Sequence, residues 1–133
     1  MSDVIFAQMG DLKVGKYVMV EGEPCRVVSL DKSKPGKHGA AKINVVAMSL
    51  FTNNKKTLMK SSDADVEVPI IERKRAQVVS IAGATAQLMD TESFEVFEVE
   101  LPEEMRSGLE SGKEIEYMLV LGRKLLLRVS GEG

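Results

Sequence analysis

The chain breaks into many short β-rich runs separated by turn residues, and this punctuation limits its fold more than any other feature. "KYVMVEGEPCRVVSL" is two such runs split by the turn cluster "EGEP", and "KINVVAMSLF", "KTLMKS" and "VEVPII" follow. Further on, "AQVVSI", "TAQLMD", "SFEVFEVEL", "EIEYMLVL" and "KLLLRVS" are separated by Gly83, "DTES", "SGLESGK" and Gly122. Short strands at this spacing predict small all-β barrels, not alternating α/β layers. The one helix signal is "PEEMRSG": Pro102 at a first-turn position, two acids behind it, and Gly108 as a stop.

A boundary is expected at "VEVPIIERKRAQ". Pro69 cannot donate to a ladder and holds Val68 extended, and the charged run "ERKR" is expected to precede a fresh strand. Charge balance also changes sign here. Residues 1–69 hold ten basic and eight acidic side chains, and residues 70–133 hold eight and twelve. We therefore expect two units, 1–69 and 70–133. In the second, five strands with a helix between the third and fourth match an OB-fold barrel. The first, with strands, no helix and a long basic loop, fits an SH3-like barrel. In "FEVFEVEL", Phe94 and Val96 share one parity while Phe97, Val99 and Leu101 share the other. That predicts a bulge or bend near Val96–Phe97, with Phe94 and Phe97 in the core.

No run approaches the roughly 18 apolar residues of a membrane span, and "MSDVIFAQMG" lacks the basic start of a leader. One cysteine, Cys25, excludes an internal disulfide and suits a reducing compartment. A cytoplasmic protein is the expectation. Cys25 opens a β run and, like the eight methionines, is expected in the core.

Net charge is −2, yet within residues 31–60 Lys32, Lys34, Lys37, Lys42, Lys55, Lys56 and Lys60 face only Asp31. That is a local field for a polyanion or a solvated lysine face, and charge alone leaves both open. Enzyme chemistry fares poorly. A phosphate-binding loop ending at Gly36–Lys37 needs glycine at Asp31 and a hydroxyl at His38, and both positions fail. One histidine and one cysteine make a poor metal set. A Schiff-base lysine needs desolvation, and Lys37 stands between glycines. RNA binding fits better, through phosphate and shape, because aromatics for base stacking are few. "KPGKHGAA" itself reads as the tip of a long antiparallel hairpin. Pro35 fixes one φ, Gly36 and Gly39 permit positive φ, and the alanines keep the tip narrow, with Lys37 at its apex.

The stretch "SKPGKHGAAK" closely resembles the hypusine loop of the translation factor five-A family. The resemblance extends to "VPII" and the OB-like second half, so it covers nearly the whole chain. Pro35, and the end soon after "LLLRVSGEG", look more like the archaeal branch than the eukaryotic one. The resemblance implies that Lys37 is modified by deoxyhypusine synthase, which transfers an aminobutyl group from spermidine, with hydroxylation to hypusine as a further step. It implies a factor, not an enzyme, that binds the ribosome. There the modified lysine would reach P-site tRNA and promote peptide bond formation at stalls such as consecutive prolines. Lys34, Pro35, Gly36, His38, Gly39 and Lys42 would form the loop and its RNA contacts, and Lys32, Lys55, Lys56 and Lys60 are additional candidates. For Arg73, Lys74 and Arg75, a junction role and an RNA contact are both open. No metal, further cofactor or membrane is implied, and a monomer is expected. The alternative is an unmodified SH3–OB module gripping RNA with a basic loop, and a protein–protein adaptor is a second.

Overall fold

A computed structural model describes residues 3–33 and 41–130. The chain splits into two compact units, Met1–Ile70 and Ile71–Gly133. The first contains β1 (Val4–Gln8), a 3-10 turn (Met9–Asp11), β2 (Tyr17–Val20), β3 (Glu23–Ser33), β4 (Lys42–Ser49), β5 (Lys55–Ser61) and β6 (Asp65–Pro69). β2 to β5 form an antiparallel meander, and β1 pairs with β6 as a separate ribbon. This is the SH3-like arrangement, with one strand and one 3-10 turn beyond those expected. Glu21 and Gly22 connect β2 to β3 with φ of 51° and 79°, the twist that a two-residue hairpin turn requires.

Val18, Val20, Cys25, Val27, Ile43, Val45 and Ala47 alternate inward along β2 to β4 and close on Met9, Leu12 and Val66. The alternation in β3 survives only because of a bulge. Val27 pairs with Ala47, but Ser29, not Val28, pairs with Val46. Val28, next to inward Val27, is exposed in any case, but the extra residue flips the phase beyond it, so Leu30 packs against the core where strict alternation would turn it outward. The Cys25 thiol is fully buried, and burial, with Glu23 adding to it, pushes its pKa up. It is the inert thiol expected. The methionines divide differently: Met9, Met105 and Met118 are buried, whereas Met59 is 63% exposed, because it lies opposite Asn44 on the outer face of the meander.

The second unit contains β7 (Ile71–Ala82), β8 (Thr85–Asp90), β9 (Val96–Glu100), α1 (Glu103–Arg106), β10 (Glu114–Val120) and β11 (Arg123–Val129), in the sheet order β11-β10-β7-β8-β9. The helix falls between third and fourth strands, as expected of an OB fold. Met105 and the flanking Leu101 and Leu109 pack into one core with Val78, Leu88, Ile115 and Tyr117.

Three expectations are corrected: the place of "ERKR", the bulge at Val96–Phe97, and Phe94 in the core. "ERKR" lies inside β7, with Arg73, Lys74 and Arg75 paired to Met118, Tyr117 and Glu116 of β10. The strand tolerates it because Arg73 and Arg75 point outward while Lys74 meets a buried acid. Nor is there a bulge at Val96–Phe97: the β8–β9 register is regular from Thr85↔Glu100 to Met89↔Val96. Phe94 belongs to the turn before the strand, at φ 63° and 68% exposed. Its parity therefore never had to agree with that of Phe97, which does pack on the core against Tyr117, with ring centroids 5.4 Å apart.

The buried acid is Asp90, 2% exposed. Its Oδ1 accepts the Glu92 and Ser93 N–H groups, both at 2.8 Å, which shapes the turn carrying Phe94. Tyr117 donates its hydroxyl to Oδ2, and Lys74 Nζ lies 3.7 Å from the same oxygen. Burial is the largest single influence on this carboxyl and raises its pKa. The Tyr117 hydroxyl, the Ser93 and Glu92 amides and Lys74 together outweigh it and hold the group well below the usual carboxylate range. Burial and Asp90 push the Tyr117 hydroxyl up, so it stays protonated.

Candidate functional site

The lysine-rich segment maps onto one hairpin. β3 and β4 pair from Cys25↔Ser49 to Ser33↔Lys42, so residues 34–41 connect its two arms, with Lys37 near the middle of that connection in sequence. Lys34, Pro35, Gly36, Lys37, His38 and Gly39 lie outside the described residues. The structure therefore speaks for the stem. Three strands build it, because β5 runs beside β4 up to Lys42↔Ser61. Just beyond that pair, Ser62 donates its N–H to the Ala41 carbonyl at 2.8 Å, and Ser61 donates its hydroxyl to Asp63 Oδ1 at 2.6 Å. A stem tied on both sides of β4 fixes where the loop leaves the unit.

Cross-strand partners share a face, which sorts the candidate lysines. Lys32, Ile43 and Lys60 form a row across β3, β4 and β5, the two lysines standing in register on either side of a fully buried isoleucine. Lys60 Nζ donates to the Asp65 carbonyl at 3.2 Å, which steadies its stem. Ser33, Lys42 and Ser61 form the next row on the opposite face. Lys32, Lys42 and Lys60 are all exposed and stand at the base of the loop. Lys55 and Lys56 sit at the far end of β5, opposite Met48 and Ala47, about 14–17 Å from Lys60 along an extended strand. Lys56 Nζ is 3.8 Å from Glu21 Oε2. Among the described residues, the lysines of that sequence cluster are thus a two-faced group of three at the loop stem, Lys32, Lys42 and Lys60, plus the separate pair Lys55 and Lys56.

A second basic group, missed as a cluster in sequence, lies in the other unit. Arg75, Glu116 and Arg128 align across β7, β10 and β11. Arg128 Nε donates to Glu116 Oε2 at 2.8 Å, and this hydrogen bond holds the Glu116 carboxyl below its ordinary pKa. Arg73, Arg75, Thr91 and Glu116 line a shallow cleft of about 490 Å³. The cluster was illegible because Arg128 lies some fifty residues from Arg75 and only the strand order joins them. Among the described residues, no group of three or more His, Cys, Asp or Glu gathers as a metal would require, and no helix is long and apolar enough to cross a membrane.

Comparison with known proteins agrees with this layout in both units. Residues 2–64 match the family described as "Translation initiation factor 5A-like, N-terminal". Residues 70–129 match "Eukaryotic elongation factor 5A hypusine, DNA-binding OB fold". The translation initiation factor 5A of Hyperthermus butylicus is 51% identical over 130 residues, spanning 96% of each chain. That of Methanoculleus marisnigri is 52% identical over 119 residues, 90% of this chain and 95% of its own. Among solved structures, the factor 5A from Methanococcus jannaschii superposes with a TM-score of 0.92 at 41% identity, covering 98% of this chain and all of that one. A Naegleria fowleri member of the same family gives 0.78 at 26% identity, over 96% of this chain and 99% of its own.

Proposed function

The chain belongs to the translation initiation factor 5A family, whose members are translation factors and not enzymes, and on that premise we propose that it serves the ribosome through a modified Lys37. The proposed modification is hypusine or deoxyhypusine, begun by deoxyhypusine synthase with spermidine as aminobutyl donor. The modified side chain is taken to reach P-site peptidyl-tRNA and hold it for peptide bond formation at stalls such as polyproline. Units 1–69 and 70–133 then divide the work: the first presents the lysine, and the second contributes further binding surface. The factor acts as a monomer in the cytoplasm.

The observation that carries this reading is the register of the stem. With Ser33 paired to Lys42, a glycine-flanked lysine lies between the arms of a hairpin supported by a third strand. Extending that lysine by four carbons and a second amine adds reach and charge without bulk. Such a group suits hydrogen bonding to phosphates and 2′-hydroxyls in a narrow RNA crevice. Positioning is the chemistry asked of it, and the ribosome makes the bond. Lys34, Pro35, Gly36, His38, Gly39 and Lys42 frame the modified residue, with Lys32 and Lys60 adding phosphate contacts from the stem.

Incubating the full chain with deoxyhypusine synthase and labelled spermidine tests the modification. One label per chain is expected, with none on Lys37→Arg and full labelling of Lys42→Ala. Label retained by Lys37→Arg would overturn the assignment. The stem lysines make a separate prediction. Each phosphate contact contributes about 0.7–0.9 to the slope of log affinity against log salt. Lys32→Ala combined with Lys60→Ala is therefore expected to flatten the slope of ribosome binding by about 1.5. Lys56→Ala, already paired with Glu21 and distant from the loop, should leave it unchanged.

A further inference from the structure

β9 and β11 are the two end strands of the second unit's sheet, so among the described residues each has one edge without a partner strand. The register fixes which backbone groups of β9 point into that open side. Asp90 donates its N–H to the Glu95 carbonyl, and Leu101 donates to the Ala84 carbonyl. With Leu88 opposite Phe97 and Ala86 opposite Val99, the alternation of an antiparallel ladder directs the backbone groups of Glu95, Phe97, Val99 and Leu101 toward β8. Val96, Glu98 and Glu100 therefore turn their N–H and C=O groups to the open edge.

That edge borders a groove of about 410 Å³ lined by Phe97, Val99, Leu125 and Leu126, with Glu98 and Lys124 at its rim. The groove already holds one cation of the chain itself. Lys124 Nζ lies 4.6 Å from the centroid of the Phe97 ring and 3.3 Å from Glu95 Oε1, an aromatic face and a carboxylate together.

Charge selects the occupant. Residues 91–105 contain six glutamates and no basic residue. OB barrels commonly take oligonucleotides on their second and third strands, which here are β8 and β9. Exposed Glu98 and Glu100 on that surface repel phosphate, and they equally repel the acidic edge of a second copy. An extended polypeptide with alternating basic and apolar residues meets every feature: main-chain hydrogen bonds to the edge, apolar side chains to the groove, cations to the glutamates. We propose that the open edge of β9 binds an extended lysine- or arginine-rich segment of a partner protein by strand addition. The proposal does not depend on Lys37.

A labelled ten-residue peptide of alternating arginine and valine, titrated by anisotropy against the full chain, tests this. Binding is expected to weaken as salt rises, and an alternating glutamate–valine peptide and an oligouridylate should not compete. Glu98→Pro removes one edge-facing N–H without breaking a ladder bond and is expected to weaken binding about tenfold. Glu98→Gln, which keeps the N–H, should cost only about two- to fivefold. Amide shifts on adding the peptide should concentrate in residues 96–100 and 123–126. Equal affinities for Glu98→Pro and Glu98→Gln would overturn strand addition in favour of diffuse charge attraction. Competition by the oligouridylate, or concentration-dependent self-association blocked by the peptide, would overturn the choice of partner. If Glu98→Pro does not fold, shifts in the unaltered chain decide: a map centred outside β9 and β11 refutes the site.

Discussion

Lys37→Arg is expected to abolish the relief of polyproline stalling in a reconstituted translation system while leaving the urea midpoint of the protein unchanged. Arginine keeps the positive charge and most of the length of lysine, so loss of charge cannot explain the loss of activity. It has no primary amine to accept an aminobutyl group. The stem that sets the position of the loop is built from Ser33, Lys42, Ser61 and Ser62, none of which the substitution touches. Activity should fall to the level measured without factor, a loss of about a hundredfold, which is what a misplacement of about 1 Å costs a positioned reactant. Lys37→Arg retaining full activity would show that the loop works as an ordinary cationic contact.

Asp90→Ala is expected to produce the largest loss of stability, about 3–5 kcal/mol, because removing one partner of a buried charged network strands the others. The Tyr117 hydroxyl would lose its acceptor, Lys74 its counter-charge, and the turn its two side-chain bonds from Glu92 and Ser93. Units of about sixty residues have little stability to spare, so the second unit should be largely unfolded at room temperature. Asp90→Asn keeps an acceptor for the turn and should cost less, about 1–3 kcal/mol. The pH dependence follows from the depressed carboxyl. Below pH ~4 the unfolded chain takes up a proton that the folded chain refuses. Stability is therefore fully present above that pH and falls as the solution is acidified toward the folded-state pKa. Urea unfolding by circular dichroism from pH 7 to pH 2 should show this decline, and Asp90→Asn should flatten it. An Asp90→Ala midpoint close to that of the unaltered chain would refute the role given to this cluster.

The readable parts of the sequence were those encoded locally. Strand periodicity and turn residues point to two all-β units, the OB order and the place of α1, since Pro102, Glu103, Glu104 and Gly108 are adjacent signals. The arms of the loop hairpin were legible because "CRVVSLDKS" and "KINVVAMSL" flank it directly. What remained hidden depended on partners far away in sequence. The bulge that turns Leu30 inward exists only against Val46 and Ala47. The Asp90–Tyr117 bond joins residues 27 apart, so "DTES" announced a turn but not a buried acid. The charges of "ERKR" suggest a junction ahead of a strand, yet β10 pairs with it throughout. Phe94 was assigned to the core on hydrophobicity, and the Asp90 turn instead holds it in a left-handed conformation facing solvent. β1 went unread because five residues, "VIFAQ", become a strand only by pairing with β6. In the site, charge counting found the stem lysines but could not separate the faces of Lys32 and Lys42. Only the register does that.

Peptide-level mass spectrometry of residues 33–42, on protein isolated from its native source, reads the chemical state of Lys37 itself. An aminobutyl-sized addition on Lys37, with or without one further oxygen, is expected, with Lys34 and Lys42 unmodified. An unmodified Lys37 in active native protein would contradict this assignment and leave an RNA-binding module whose loop lysine is one contact among several.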